Sequence, residues 1–190
     1  MPGKRLFIAV DIDAATRAQV ERISSSLRST LDTAVTASWV RSDRMHLTLH
    51  FVGSADAAVE QQVRDVLARP ISQAPFDVAF DRLGCFPERG SPRVLWLGVG
   101  AGLDDLRRLH SALDVQALPG VPPKRDDGPF TPHLTLARFR GRVSRGMLAK
   151  FLQNPASAGP SRIDRVTLYE SRLSPAGPAY IPLAEAHLRP

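Results

Sequence analysis

One tetrapeptide, His-Leu-Thr-Leu, occurs twice in the chain, as His46-Leu47-Thr48-Leu49 and as His133-Leu134-Thr135-Leu136. In an otherwise ordinary composition a single copy is expected by chance on the order of 0.003 times per chain, so two copies require a structural reason. A β-strand supplies one. Successive side chains of a strand point to opposite faces, so the His and Thr of each copy share one face about 7 Å apart, and the two Leu share the other. Each copy then offers an imidazole and a hydroxyl on one side and two apolar anchors on the other. If the two strands are neighbours, two His and two Thr line one cleft.

Such a cleft suits acid–base chemistry on a phosphate. Histidine titrates near neutral pH, so one imidazole can accept a proton while the other donates one, and a threonine hydroxyl can donate to a non-bridging oxygen. His46 and His133 are therefore the candidate catalytic pair, with Thr48 and Thr135 as candidate substrate contacts.

The rest of the chain reads as a scaffold of mixed elements. Arg5 to Asp11 is a buried strand, followed by an amphipathic helix from Ala14 to Leu31 with Asp13 as its N-cap. Thr36 to Arg41 and Met45 to Val52 are short strands, Gly53 ends the second, and a helix capped by Ser54 or Asp56 runs from Ala57 to Ala68. Strands are predicted over Phe76 to Leu83 and Arg93 to Val99, and a helix over Leu103 to Leu118. The run Pro119 to Pro129 holds four prolines and cannot be helical, so it is read as a basic loop leading into the second motif strand, Phe130 to Phe139. A short helix at Ser144 to Leu152, a strand at Ile163 to Arg172 and an edge strand at Ala179 to Leu188 complete the order. Both halves hold a motif strand, a helix and further strands. The expected fold is α+β: two duplicated mixed α/β lobes in one unit spanning 1–190, with antiparallel sheets flanking a central cleft and one motif strand in each lobe.

Composition narrows the setting. The apolar fraction is 43%, and no apolar run approaches the ~20 residues of a membrane span, so a soluble protein with no membrane partner is expected. The basic start Met1 to Arg5 leads into only five apolar residues before Asp11, too few for the apolar region of a signal peptide. A single cysteine, Cys85, allows no internal disulfide and fits a reducing cytoplasm. The net charge of +6 favours a polyanionic partner such as nucleic acid, although basic and acidic residues are well mixed and an Arg-rich composition also arises in GC-rich genomes.

With these residues in view, the chain resembles the 2H phosphoesterase superfamily, and within it the RNA 2′,3′-cyclic phosphodiesterases, also called 2′-5′ RNA ligases. The resemblance is carried by Arg5-Leu6-Phe7-Ile8-Ala9-Val10, Trp39-Val40, the first motif with Phe51-Val52-Gly53, Arg93-Val94-Leu95-Trp96-Leu97-Gly98, Pro132 to Arg138, and Leu168-Tyr169-Glu170-Ser171. It implies a bilobal fold and hydrolysis of the 2′,3′-cyclic phosphate ends of RNA, or of small cyclic nucleotides, to 2′-phosphates without metal or nucleotide cofactor. RNA ligation accompanies this in some relatives. The resemblance further implies loss of the 3′-oxygen, on which basis His133 is assigned as base and His46 as acid, the likeness of the two motifs leaving the reverse open. A monomer is expected.

Further candidates carry two readings each. Arg138 is a phosphate contact by resemblance, yet its odd spacing from His133 puts it on the wrong face of an undistorted strand, so the role requires a bulge. Phe130 is a candidate base-stacking ring and equally a candidate core residue. Lys124 and Arg125 are candidate contacts to the RNA backbone or simply solvated. His50, four residues after His46, could complete a three-histidine metal site with His46 and His133. The rival to an enzyme is a nucleotide- or RNA-binding module using the same pocket without turnover, and the intact histidine in both motifs favours the enzyme.

Overall fold

Both motifs open a strand. In the computed structural model, which describes residues 3–31, 35–122, 129–175 and 177–190, one strand begins at His46 and another at His133. The order is β1 (Lys4–Asp11), α1 (Ala14–Leu31), β2 (Thr36–Trp39), β3 (His46–Ala55), α2 (Ala57–Ala68), β4 (Ile71–Ser72), β5 (Phe76–Phe86) and β6 (Val94–Val99), then α3 (Leu103–Leu113), β7 (His133–Arg140), α4 (Arg145–Leu152), β8 (Ala158–Ile163), β9 (Arg165–Ser174) and β10 (Gly177–Arg189). Single 3₁₀ turns lie at Ser42–Arg44 and Val115–Ala117.

These strands form two five-stranded sheets, β3-β1-β9-β10-β4 and β2-β7-β6-β5-β8, with one motif strand in each. All pairings are antiparallel except the two-residue parallel contact of β4 with the end of β10. The sheets do not divide at the middle of the sequence. β2 from the N-terminal half joins the second sheet, and β9 and β10 from the C-terminal half join the first. Helices cross over as well: α1 follows β1 of the first sheet yet packs on β8 of the second, while α3 follows β6 of the second sheet and packs on β3 of the first. Exchange of this kind ties the two sheets into one core.

The Leu side chains of the motifs anchor that core. Leu47, Leu134 and Leu136 are fully buried and Leu49 is 4% exposed, each burial contributing about 1.5–3 kcal/mol against an exposed side chain. The helix starts follow the expected capping: Asp13 Oδ1 accepts from Thr16 N at 2.7 Å, and Asp56 Oδ1 accepts from Val59 N at 2.9 Å.

Several elements differ from the sequence reading. The helix read over Leu103 to Leu118 stops at Leu113, because Asp114 turns the chain with φ +26 and a 3₁₀ turn follows. β3 continues past Gly53, which sits at φ +82 inside the strand next to an irregular pairing instead of ending it. Two strands escape the pattern altogether. β4 is two residues long, and β8 contains Gly159-Pro160, which reads as a loop because proline lacks a donor for the ladder. Among the described residues, no helix is long and apolar enough to cross a membrane.

Candidate active site

The two motif strands repeat each other in three dimensions. Over the seven residues from each histidine the pattern is the same: first and third partly exposed, second, fourth and fifth buried, sixth exposed, seventh buried. Both strands also bulge at the same place. Ile8 pairs with His50 and Ala9 with Thr48, leaving Leu49 without a partner on β1, while Leu95 pairs with Ala137 and Trp96 with Thr135, leaving Leu136 without one on β6. A bulge inserts one residue and so reverses which face the following side chains occupy.

That reversal fixes the face on which two residues lie. Arg138, at odd spacing from His133, is carried to the His133–Thr135 face, where it is exposed and close enough to hold down the proton affinity of His133. His50, at even spacing from His46, is carried the other way. It is buried, its Nε2 donates to the His110 carbonyl at 2.8 Å, and its ring stacks on His110 at 4.1 Å. The three-histidine metal site is therefore not assembled, and among the described residues no group of three His, Cys, Asp or Glu side chains is placed to hold a metal ion.

Each motif imidazole is pinned in the same way. His46 Nδ1 donates to the Arg44 carbonyl at 3.1 Å, and His133 Nδ1 donates to the Thr131 carbonyl at 2.8 Å. A carbonyl can only accept, so Nδ1 carries the hydrogen and Nε2 is left toward the cleft as the proton-exchanging atom. Thr48 and Thr135 share the faces of their histidines and are partly exposed. The two imidazoles influence each other: positive charge on His133 disfavours positive charge on His46.

Burial pushes the His46 imidazole down to about 4, against the pull of the Asp11 carboxylate and the Arg44 carbonyl. Burial also lowers His133, opposed by the Thr131 carbonyl and aided by Arg138. Both are neutral at pH 7 in the folded protein. Because the folded value lies below that of an unfolded histidine, ~6.5, the unfolded chain binds more protons between about 4 and 6.5, and stability falls as pH falls through that window. His46 alone should withdraw on the order of 2–3 kcal/mol by pH 4. Urea midpoints measured from pH 7 to pH 4 should therefore decline more steeply for the wild type than for His46→Gln. Parallel slopes would show that the imidazole is freely hydrated.

Aromatic rings, most of them given no role from the sequence, wall the cleft. The Phe7 ring stacks on His46 at 4.7 Å and on Tyr169 at 5.3 Å, and Tyr180 meets Phe7 and His46 edge-on at 5.2 and 5.0 Å. Beside His133 stand Phe86 at 5.1 Å and Trp96 at 5.9 Å, with Trp96 lying where a Cβ on Gly84 would otherwise be. Tyr180 also senses Arg5, Arg44 and Arg138, which makes one end of the cleft cationic. Periodicity cannot find these residues, because they arrive from β1, β5, β6, β9 and β10, and only the pairing register brings them to one place. Phe130 is set apart: half-buried, it stacks on His110 at 4.2 Å, at the end of the His50–His110 pair. Lys124 and Arg125 lie outside the described residues.

Comparison with known proteins agrees with this geometry. The model of the 2′-5′ RNA ligase superfamily matches residues 10–174. An "RNA 2′,3′-cyclic phosphodiesterase" of Methanothermobacter thermautotrophicus is 36% identical over 184 residues, covering 93% of this chain and 94% of that protein. Among solved structures, Escherichia coli LigT complexed with 3′-AMP is 28% identical with a TM-score of 0.75 over 99% of both chains. TT0787 of Thermus thermophilus is also 28% identical, with a TM-score of 0.73 over 97% of this chain and 98% of that one. With both motifs inside the matched region, the chain belongs to the 2′-5′ RNA ligase superfamily.

Proposed function

We propose that this protein hydrolyses 2′,3′-cyclic phosphate ends of RNA, or small cyclic nucleotides, to 2′-phosphomonoesters by two-histidine acid–base catalysis. The observation that carries the reading is the pair of imidazoles, each with Nδ1 bonded to a carbonyl two residues upstream, on the matching faces of two strands repeated down to the bulge. The relatives named RNA 2′,3′-cyclic phosphodiesterase support the same chemistry. One chain builds the cleft, so we read the protein as a monomer and its residues 1–190 as one unit of two lobes. The buried Cys85, its single cysteine, suits work in the cytoplasm.

His133 Nε2 takes a proton from water as the water oxygen attacks phosphorus. The bond from phosphorus to the 3′-oxygen breaks, and His46 Nε2 gives that oxygen a proton. The product is a 2′-phosphate with a free 3′-hydroxyl, and solvent exchange returns the two imidazoles to their starting states. Arg138 and the hydroxyls of Thr48 and Thr135 donate to the non-bridging oxygens, where negative charge is densest. The anionic phosphate favours an imidazolium beside it and so offsets the burial that keeps His46 neutral in the free protein.

Purified protein should convert a 2′,3′-cyclic nucleotide to the 2′-monophosphate in the presence of a chelator and without ATP, as followed by phosphorus NMR. The paired imidazoles supply the proton transfers that a metal-bound water would otherwise supply. Absence of turnover would leave a phosphate-binding module. A dominant 3′-monophosphate would overturn the assigned leaving oxygen.

A further inference from the structure

The repeat that unites the two lobes breaks at the residue facing each histidine from the neighbouring strand. On β1, Asp11 is paired with His46, whereas on β6 the residue paired with His133 is Gly98. Directly paired residues of antiparallel strands project to the same face with their Cβ atoms about 4.5–5.5 Å apart, so the Asp11 carboxylate lies beside the His46 imidazole. Among the described residues, no carboxylate is paired with His133 or acts on it. The charge that acts on it is of the opposite sign, the Arg138 guanidinium brought over by the bulge.

The carboxylate is held in place. Tyr169 on β9 donates its hydroxyl to Asp11 Oδ2 at 2.6 Å. Its ring packs on Phe7, which also stacks on the His46 ring itself. Ala9, between Phe7 and Asp11 on this face and paired with Thr167, is small enough for the Tyr169 ring to reach across the strand. The carboxylate in turn disfavours ionisation of Tyr169, whose hydroxyl is pushed well above its usual range, chiefly by burial, so it stays a donor at all working pH values.

We propose that Asp11, anchored by the Tyr169 hydroxyl, is a positioning residue that favours the protonated form of His46 once the substrate phosphate is bound, while Gly98 and Arg138 leave His133 to accept. This rests on the two-histidine reading above and gives its two roles a physical cause. The charged and titratable groups facing His46 are Asp11 from β1, Tyr169 from β9, Tyr180 from β10 and His133 from β7. Arg5, Arg44 and Arg138 gather around Tyr180, and Glu185 acts on Tyr169. Asp11 is the only one of these acting on His46 directly that favours its protonation through charge.

The test is an NMR titration of the two imidazoles in phosphate buffer, alongside the pH profile of kcat for a 2′,3′-cyclic nucleotide. Asp11→Asn, close in shape and exposed at the strand end, should lower the His46 midpoint by about half to one pH unit and leave the His133 midpoint in place. The kcat limb that coincides with His46 should move by the same amount, with a roughly three- to tenfold loss at neutral pH. Tyr169→Phe should give a smaller shift of the same sign, and Asp11→Glu should restore most of it. An unmoved His46 midpoint in Asp11→Asn overturns the proposal, and so does a moved midpoint with an unmoved kcat limb. If the wild type fails to turn over the cyclic nucleotide, the functional reading falls, and the titration still decides whether Asp11 sets the charge of His46.

Discussion

Replacing His46 or His133 by alanine is expected to lower kcat on a 2′,3′-cyclic nucleotide by roughly 10²–10⁴, because each substitution removes one of two proton transfers. The loss should sit in kcat and not in KM. On the proposed reading phosphate is held by Arg138 and the two threonines, which neither substitution touches. The double variant should lose far less than the product of the single losses, since base and acid act on one transition state and neither functions fully without the other. His46 also packs against Phe7 and Tyr180, so His46→Gln, which keeps bulk without a proton-exchanging group, is the control for repacking. If either position retains near-wild-type kcat, the other histidine is working alone and the paired mechanism is wrong.

A strand carries enough local information to announce itself, and the motif histidines were legible for that reason. Alternation places His with Thr and Leu with Leu, and the buried leucines lie where it puts them. A bulge carries little such information. Leu49 and Leu136 look like any other core leucine in sequence, yet their lack of a partner on β1 and β6 decides that Arg138 shares the face of His133 and that His50 turns to the core. Even spacing thus misplaced one residue and odd spacing undervalued another. Arg138 was retrievable only as a required distortion.

What stayed hidden is whatever depends on register between distant segments. Asp11 is separated from Tyr169 by 158 positions, and their hydrogen bond exists because β1 lies between β3 and β9. The same holds for Trp96, read simply as part of a central strand. Its pairing with Thr135, and the glycine at position 84 beneath its ring, place it beside His133. Local pattern gives faces, whereas the site is made of neighbours.

The second large effect concerns which histidine does which job. A 3′-bridging thio analogue of the cyclic substrate replaces an alkoxide leaving group by a thiolate, whose conjugate acid has a pKa of about 8.5. A thiolate departs without being protonated, so it makes the acid dispensable and leaves the base as necessary as before. On this analogue His46→Ala should recover by about 10²–10³ relative to its rate on the natural ester, approaching the wild type, while His133→Ala should stay slow. The structure supports this direction through its asymmetry: a carboxylate is paired with His46, a glycine with His133, and the Arg138 guanidinium holds down the proton affinity of His133. A protonated imidazole is better sustained next to Asp11, and a neutral one next to Arg138. Recovery of His133→Ala in place of His46→Ala would exchange the roles and detach Asp11 from the proton-donating step, while leaving both histidines necessary for the natural ester.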